Sequence, residues 1–400
     1  MKTTTLFLCA AILLCAAMPA AFGQEERQKL PTLTPFTTAI PARNLSLDDV
    51  TAAANAGTGL AVWTTTLSAT KDGLNYTVTM VGQDPSTSTG TTNIPTVIIP
   101  VIIKIGTTTF NPTVADTTCM VAPNNVPSKV FKQSPLFANH AFIMNGVNEG
   151  STQYIDAFQR ANLATLVAST YHTKLSTITM KPAQTFVVPA GSGSVNPTSG
   201  FGNGGCGPNK NPAGMFGIMD INAFDPWVTG TALPHAAVTP NQLPILLLYD
   251  VLMSVGAPTI NDCCILGYHG ALNNGQTYSP MEFDQTGIFG PKINDTSISA
   301  HEIGEWMDDP FANNATPAWG GIGQVSGCQG NLEDGDPLTG TNFPPVTMSS
   351  NHYKYHLQEL AFRSWYYNSQ FDPSIGAGGK FSNNGKFGGP SKVCPPGGTF

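Results

Sequence analysis

Charge is what this chain has least of. Asp, Glu, Lys and Arg make up 11% of its 400 residues, and 18 basic against 25 acidic side chains leave a formal net charge of −7. Cations so few and scattered do not line a phosphate backbone or an anionic bilayer, so nucleic-acid binding and charge-driven membrane binding are excluded. Beyond the N-terminus there is no apolar run long enough to cross a bilayer: "IPTVIIPVIIKI" and "QLPILLLYDVLMSV" are short, and Pro100 interrupts the first. No C-x-x-C pair occurs, which argues against a thiolate zinc site or a thioredoxin-type redox motif. No G-x-S-x-G supports a serine hydrolase, and "GFGNGGCG" lacks the Lys-Ser/Thr of a phosphate-cradling loop. No cofactor-binding motif is expected.

What remains is a chain 41% hydrophobic, enough to fold, whose polar surface falls to Thr, Ser, Asn and Gly. That balance suits a β-rich, loop-rich extracellular protein. Residues 1–23 read as a secretory signal: one Lys, an apolar run from Leu6, and a small-x-small pattern at Ala21-Phe22-Gly23. The expected mature protein is secreted and, having lost Lys2, moves from −7 to −8. It keeps Cys119, Cys206, Cys263, Cys264, Cys328 and Cys394, and an even count behind a signal favours disulfides, with about fifteen full pairings open. Adjacent Cys263 and Cys264 are expected to take different partners, or only one of them to be bridged.

Residues 24–44 read as an irregular Pro- and Thr-rich arm. A hairpin turning at Lys71 to Gly73 follows, then strands at "TVIIPVIIKI" and "TTTFNP", with Pro100 marking an edge or bulge. Tyr154, Ile155, Phe158, Ala161 and Leu163 recur at helical spacing. "HTKLSTITM" and "QTFVVPA" read as strands, and 191–214 as a long loop dividing a β-rich region, 24–200, from a second region, 201–372, of the same fold. "GMFGIMDIN" and "CCILGYHGAL" read as strands, "PILLLYDVLMS" as strand or helix, and "YHLQELAFRSWYY" as a short amphipathic element. The tail, 373–400, is expected to pack poorly apart from a tether at Cys394.

One stretch looks built for chemistry: "SAHEIGEWMDDP", Ser299 to Pro310. Asp295, Thr296 or Ser297 can cap a helix here, and Pro310 ends it. His301 and Glu305 then lie one turn apart on one face, able to hold one cation, with Glu302 placed to act on a bound water as general base. A third ligand is expected from Glu333 in "NLEDGD", with His269 in "GYHG" and Asp309 as rivals. Asp308, Asp309 and Asp336 are read as groups that orient ligands. Asp308 and Asp309 sit where the helix dipole disfavours anions, which a nearby cation would offset. Gly304 in mid-helix costs about 1 kcal/mol relative to Ala, so something should pack closely against it. One imidazole with two carboxylates makes a formally neutral shell around Zn²⁺, so the bound water is expected to be less acidified than in a two-His site, and a weaker zinc site, or a Ca²⁺ or Mn²⁺ site of similar layout, is expected.

The series "CCILGYHG", "AHEIGEWMDDP", "NLEDGD" and a late aromatic segment, from Gln242 to Tyr367, resembles the exordium or phosphate-induced protein family of plant cell walls and its bacterial relatives. The resemblance places His301, Glu302 and Glu305 at the helix positions, Glu333 and Asp336 as the acidic pair, and His269 as the upstream imidazole. It implies an extracellular protein with cell-wall or cell-surface association and a peptidase-like sequence. The family's cysteine after the acidic pair is absent, and Cys328 precedes it instead, so no disulfide pattern carries over. The expected architecture is α+β, a β-rich N-terminal half with a zincin-like (metzincin- or gluzincin-type) active-site helix in the C-terminal half. The expected activity is that of a zinc metallopeptidase-like hydrolase on extended peptide, the competing class a non-catalytic extracellular protein with a structural metal.

Overall fold

The computed structural model describes residues 35–42, 44–198, 201, 214–368, 380–388 and 394. The expected signal, 1–23, lies outside the described residues. In chain order come β1 (Phe36–Ile40), α1 (Leu47–Asn55), β2 (Val62–Ser68), β3 (Asn75–Val81), β4 (Thr91–Ile105), β5 (Thr108–Phe110), α2 (Pro127–Lys132), β6 (His140–Met144), β7 (Val147–Thr152), α3 (Tyr154–Leu163), β8 (His172–Met180), β9 (Gln184–Val187) and β10 (Gly193–Pro197). Then follow β11 (Met215–Asp220), α4 (Ile221–Trp227), α5 (Leu233–Ala236), β12 (Leu243–Tyr249), β13 (Val251–Ser254), β14 (Cys263–Ala271), β15 (Thr277–Phe283), α6 (Ser297–Asp308), β16 (Ala315–Ile322), β17 (Val325–Asn331), β18 (Val346–Thr347), β19 (Lys354–Tyr355) and α7 (Arg363–Tyr367). With 39% strand against 20% helix the fold is α+β and β-rich, its main sheet curling to a nearly closed barrel.

That sheet has eleven strands, ordered β10-β11-β13-β14-β15-β12-β4-β5, with β8 and β9 also on β4 and β1 on β14. Strand β12 runs parallel to both β4 and β15, and such strands are buried on both faces. Its all-apolar sequence follows: Leu243, Ile245 and Leu247 join one core with Phe158 of α3 and Ile303 and Trp306 of α6. Leu246 and Leu248 join a second core with Phe224 of α4 and Leu233 of α5. The segment open to either reading is therefore strand. No helix among the described residues is long and apolar enough to cross a membrane.

Several expectations are corrected. The Pro- and Thr-rich arm is in part a strand: Phe36–Ile40 pairs in parallel with Ile265–Gly270 of β14. Pro100 sits in an interior strand. It pairs with Leu247 on one side and falls on the other between the last β8 pair, Ile98 with Met180, and the first β9 pair, Val101 with Gln184. A missing N–H is tolerated at such a changeover. Part of the expected long loop is β10, antiparallel to β11. The tail packs where it is described: Ser382 and Asn383 are fully buried, Asn383 donates to the Tyr154 hydroxyl at 2.8 Å, and the Asn384 amide donates to Glu359 at 2.5 Å. Cys263 and Cys264 are bonded to each other, against expectation, and Cys328 to Cys394. Cys119 is also disulfide-bonded, and Cys206 lies outside the described residues.

Candidate metal centre on a buried helix

Helix α6 is buried along its whole length. It lies against β14 and β15 on one side and α3 on another, fixed by the Trp306 indole donating to Thr277 at 3.0 Å. Its close approach to β14 depends on Gly267, where a Cβ would stand 2.8 Å from Ile298 and 2.9 Å from Glu302. The packing expected at Gly304 is there as well: a Cβ would meet Leu360 at 2.6 Å. Thr296 occupies the N-cap without a side-chain capping bond, because its hydroxyl donates to the His356 carbonyl at 2.7 Å.

His301 and Glu305 meet as the spacing requires, Nε2 to Oε1 at 2.7 Å. The carboxylate that approaches this imidazole from downstream is Asp336, 3.4 Å from Nε2, and His301, Glu305 and Asp336 form one donor group compact enough for a cation. Glu333 stands one step behind, hydrogen-bonded through its side chain to Glu305 and receiving Asn331 at 2.8 Å. His269 comes in from β14 on the other side. Its Nδ1 lies 3.4 Å from Glu302 and 3.8 Å from Glu305, and these three make a second compact group that shares Glu305. A buried oxygen of Glu302, Oε1, and one of Glu305, Oε2, have no hydrogen-bond partner among the described residues.

The remaining acids are held differently from the sequence reading. Asp308 does not face the imidazole cluster: it accepts from Asn162 of α3, and the Arg363 guanidinium offsets its charge. Asp309 accepts the backbone amides of Asn313 and Asn314, both at 2.9 Å. These groups offset only part of the cost of enclosing the two carboxylates, since burial still raises both and Oδ1 of Asp308 has no hydrogen-bond partner among the described residues.

Three contributors went unread in the sequence. Thr37 of β1 places its hydroxyl 2.7 Å from His301 Nε2. Gln324 holds that residue by both main-chain groups, accepting from Thr37 N and donating to Thr37 O, each at 3.0 Å. Gln358 donates at 2.8 Å to the Gly335 carbonyl and stands 2.8 Å from His301 Nδ1. Because a carbonyl only accepts, the Gln358 nitrogen is the donor, and the proton of the neutral His301 ring sits on Nε2, facing Glu305. A cation at Nε2 would replace that proton and require the Gln358 amide to turn. None of the three carries a motif; only the fold brings them in.

Burial dominates the electrostatics. It pushes Glu302, Glu305 and Glu333 well above the usual carboxylate range, reinforced by the Glu305 charge for Glu302, by Asp336 for Glu305, and by Glu305 and Asp336 for Glu333. Burial and the neighbouring His301 lower His269 to about 3, so this imidazole is neutral at ordinary pH. His301 is raised, its carboxylate neighbours outweighing burial. His269 is already a neutral donor, and His301, like the carboxyls, would exchange its proton for a cation, which is the donor chemistry of a divalent metal site, so the residues present fit such an ion. Comparison with protein families, with curated proteins and with solved structures finds no match.

Proposed function

We propose that the protein is a metal-dependent hydrolase of the zinc-peptidase kind, held in a closed form by its own strand β1. His301, Glu305 and Asp336 would hold the cation, with Glu333 bracing Glu305, and Glu302 would take the proton from the attacking water. Asp336 replaces Glu333 as the third ligand because it is the carboxylate beside the imidazole. The ion would supply Lewis acidity and lower the pKa of bound water. The observation that carries the peptide reading is β1 itself. Alongside residues 267–270 of β14 an extended chain lies in main-chain register, and its Thr37 hydroxyl touches His301. An edge that accepts one strand beside the centre can accept another by β-augmentation.

The test is to cut the chain between Ile40 and Leu47 at an inserted protease site, strip off β1, and assay a peptide library with Zn²⁺, Mn²⁺ and Ca²⁺. Cleavage should appear in the trimmed protein and vanish in its Glu302→Gln form, which should still hold the metal. Turnover surviving in Glu302→Gln would sink the assignment of the base. Loss of metal in that variant would move the centre to the His269, Glu302 and Glu305 group.

The complete burial of His301, Glu302 and Glu305 favours a second reading, a non-catalytic extracellular protein in which the same ion is structural. The resemblance to the exordium family supports this reading too. Under it, trimming β1 yields no cleavage of any peptide, and metal removal lowers the melting temperature.

A further inference from the structure

A second group of acids lies outside this centre, at the carboxyl ends of the parallel strands β12 and β15. Asp250 follows Tyr249 at the end of β12, Glu282 lies within β15 opposite Leu248, and Asp284 follows β15. Each offers a carboxylate oxygen, and the three oxygens lie within 4.8 Å of one another. All three residues are buried, with exposures of 4%, 0% and 1%. Glu282 is fully enclosed, and neither of its oxygens has a hydrogen-bond partner among the described residues. The same holds for Oδ2 of Asp284, whose other oxygen accepts from the Thr286 amide and hydroxyl. Asp250 accepts from the Gln285 amide at 2.7 Å.

Among the described residues, no Lys, Arg or His forms an ion pair with any of the three. The nearby titratable groups are further acids and two phenols: Asp116, which accepts from the Tyr249 hydroxyl, Tyr353, whose hydroxyl accepts from Gln285 at 3.1 Å, and Asp295, which is paired with His356 at 2.7 Å. Cys119, near enough to Asp116 and Asp250 to be a fourth donor, is disulfide-bonded and offers no thiolate. Carboxylates enclosed without a cation carry a desolvation cost that their neighbours increase.

We propose that Asp250, Glu282 and Asp284 bind a hard divalent cation, Ca²⁺ in the first instance. The donors are all oxygen, which disfavours softer metals. Ca²⁺–oxygen distances of about 2.3–2.6 Å keep any two ligands within about 5 Å of each other, a limit these three oxygens meet. Asp284 also exchanges main-chain hydrogen bonds with Asp295, two residues before α6 begins. The ion would therefore tie the ends of β12 and β15 to the start of the helix that carries His301.

The experiment is calcium titration of the full chain, stripped with chelator and then saturated with zinc, by calorimetry and by thermal unfolding. Wild type should bind one equivalent of Ca²⁺ and melt higher with it. Glu282→Gln, which keeps the shape and removes a charge, should bind Ca²⁺ at least tenfold more weakly, keep its zinc, and melt higher than wild type in chelator. Terbium luminescence excited through tyrosine in the wild-type protein, quenched by Ca²⁺, reports the site even if the variant folds poorly. Overturning results are no binding of Ca²⁺, Mg²⁺ or Mn²⁺ and no terbium signal in wild type, or a well-folded Glu282→Gln that binds Ca²⁺ as wild type does.

Discussion

Raising the pH of the metal-free protein should destabilise it, and the slope can be worked from individual residues. Burial lifts Asp309 to about 7 against the pull of two backbone amides, Glu359 to about 7 against the Asn384 amide and Ser382, and Asp284 to about 6 against Thr286. In the unfolded chain these groups ionise near pH 4. Between roughly pH 4.5 and 6 the folded state therefore holds about three protons that the unfolded state has lost, and each removes about 1.4 kcal/mol of stability per pH unit. His269 works the other way: lowered to about 3, it is neutral when folded and protonated when unfolded below about pH 6.5. The net of these four groups is about two protons, or about 3 kcal/mol lost per pH unit near pH 5.5. The acids raised further, Glu302, Glu305 and Glu333, steepen the fall over the same range and extend it above pH 7. Against a total stability of about 5–15 kcal/mol, two pH units on this slope decide whether the fold survives. Urea unfolding at half-unit steps from pH 5 to 8, in chelator, measures it, and added Zn²⁺ and Ca²⁺ should flatten the profile. Glu359→Gln, which belongs to neither acid cluster, should reduce the slope by one proton's worth. A metal-free protein as stable at pH 7 as at pH 5 would refute the reasoning.

Three further outcomes are expected. Gly335→Ala would place a Cβ 2.5 Å from His301 Nδ1, so it should cost about 1–3 kcal/mol by overpacking and weaken metal binding, read by unfolding and metal content. Gly304→Ala, whose Cβ would stand nearest to Leu360, at 2.6 Å, should cost stability within the same range of about 1–3 kcal/mol and leave metal content unchanged. Cys394→Ala opens the bridge to Cys328 across a sequence separation of 66 and should cost up to about 4 kcal/mol in denaturant unfolding.

What could be read in advance was whatever depends on neighbours in sequence. The hairpin about Lys71 to Gly73, the strands at "TVIIPVIIKI" and "TTTFNP", helix α3 and the single-turn spacing of His301 and Glu305 are all periodic or turn signals. What could not be read depends on partners far away. Nothing local marks Phe36–Ile40 as a strand, because its pairing partner begins 229 positions later, from Phe36 to Ile265. Nor does spacing say that Asp336 rather than Glu333 would approach the imidazole, since both lie in one acidic turn and only its backbone path decides. Asp308 and Asp309 misled for the same reason: Asn162, Arg363 and the amides after Pro310 that face them come from other parts of the fold or from a turn with no distinctive sequence.

The pairing of β1 with β14 also sets an order of events. During synthesis Thr37 leaves the ribosome long before residues 263–271 exist, and the helix bearing His301 emerges later still. The cover over the centre is thus made first and can be seated only near the end, once β14, α6 and Gln324 are all in place. If an ion is held there as proposed, it would enter before this cover is seated. The metal supply in the compartment where this chain folds would then determine which ion the centre carries.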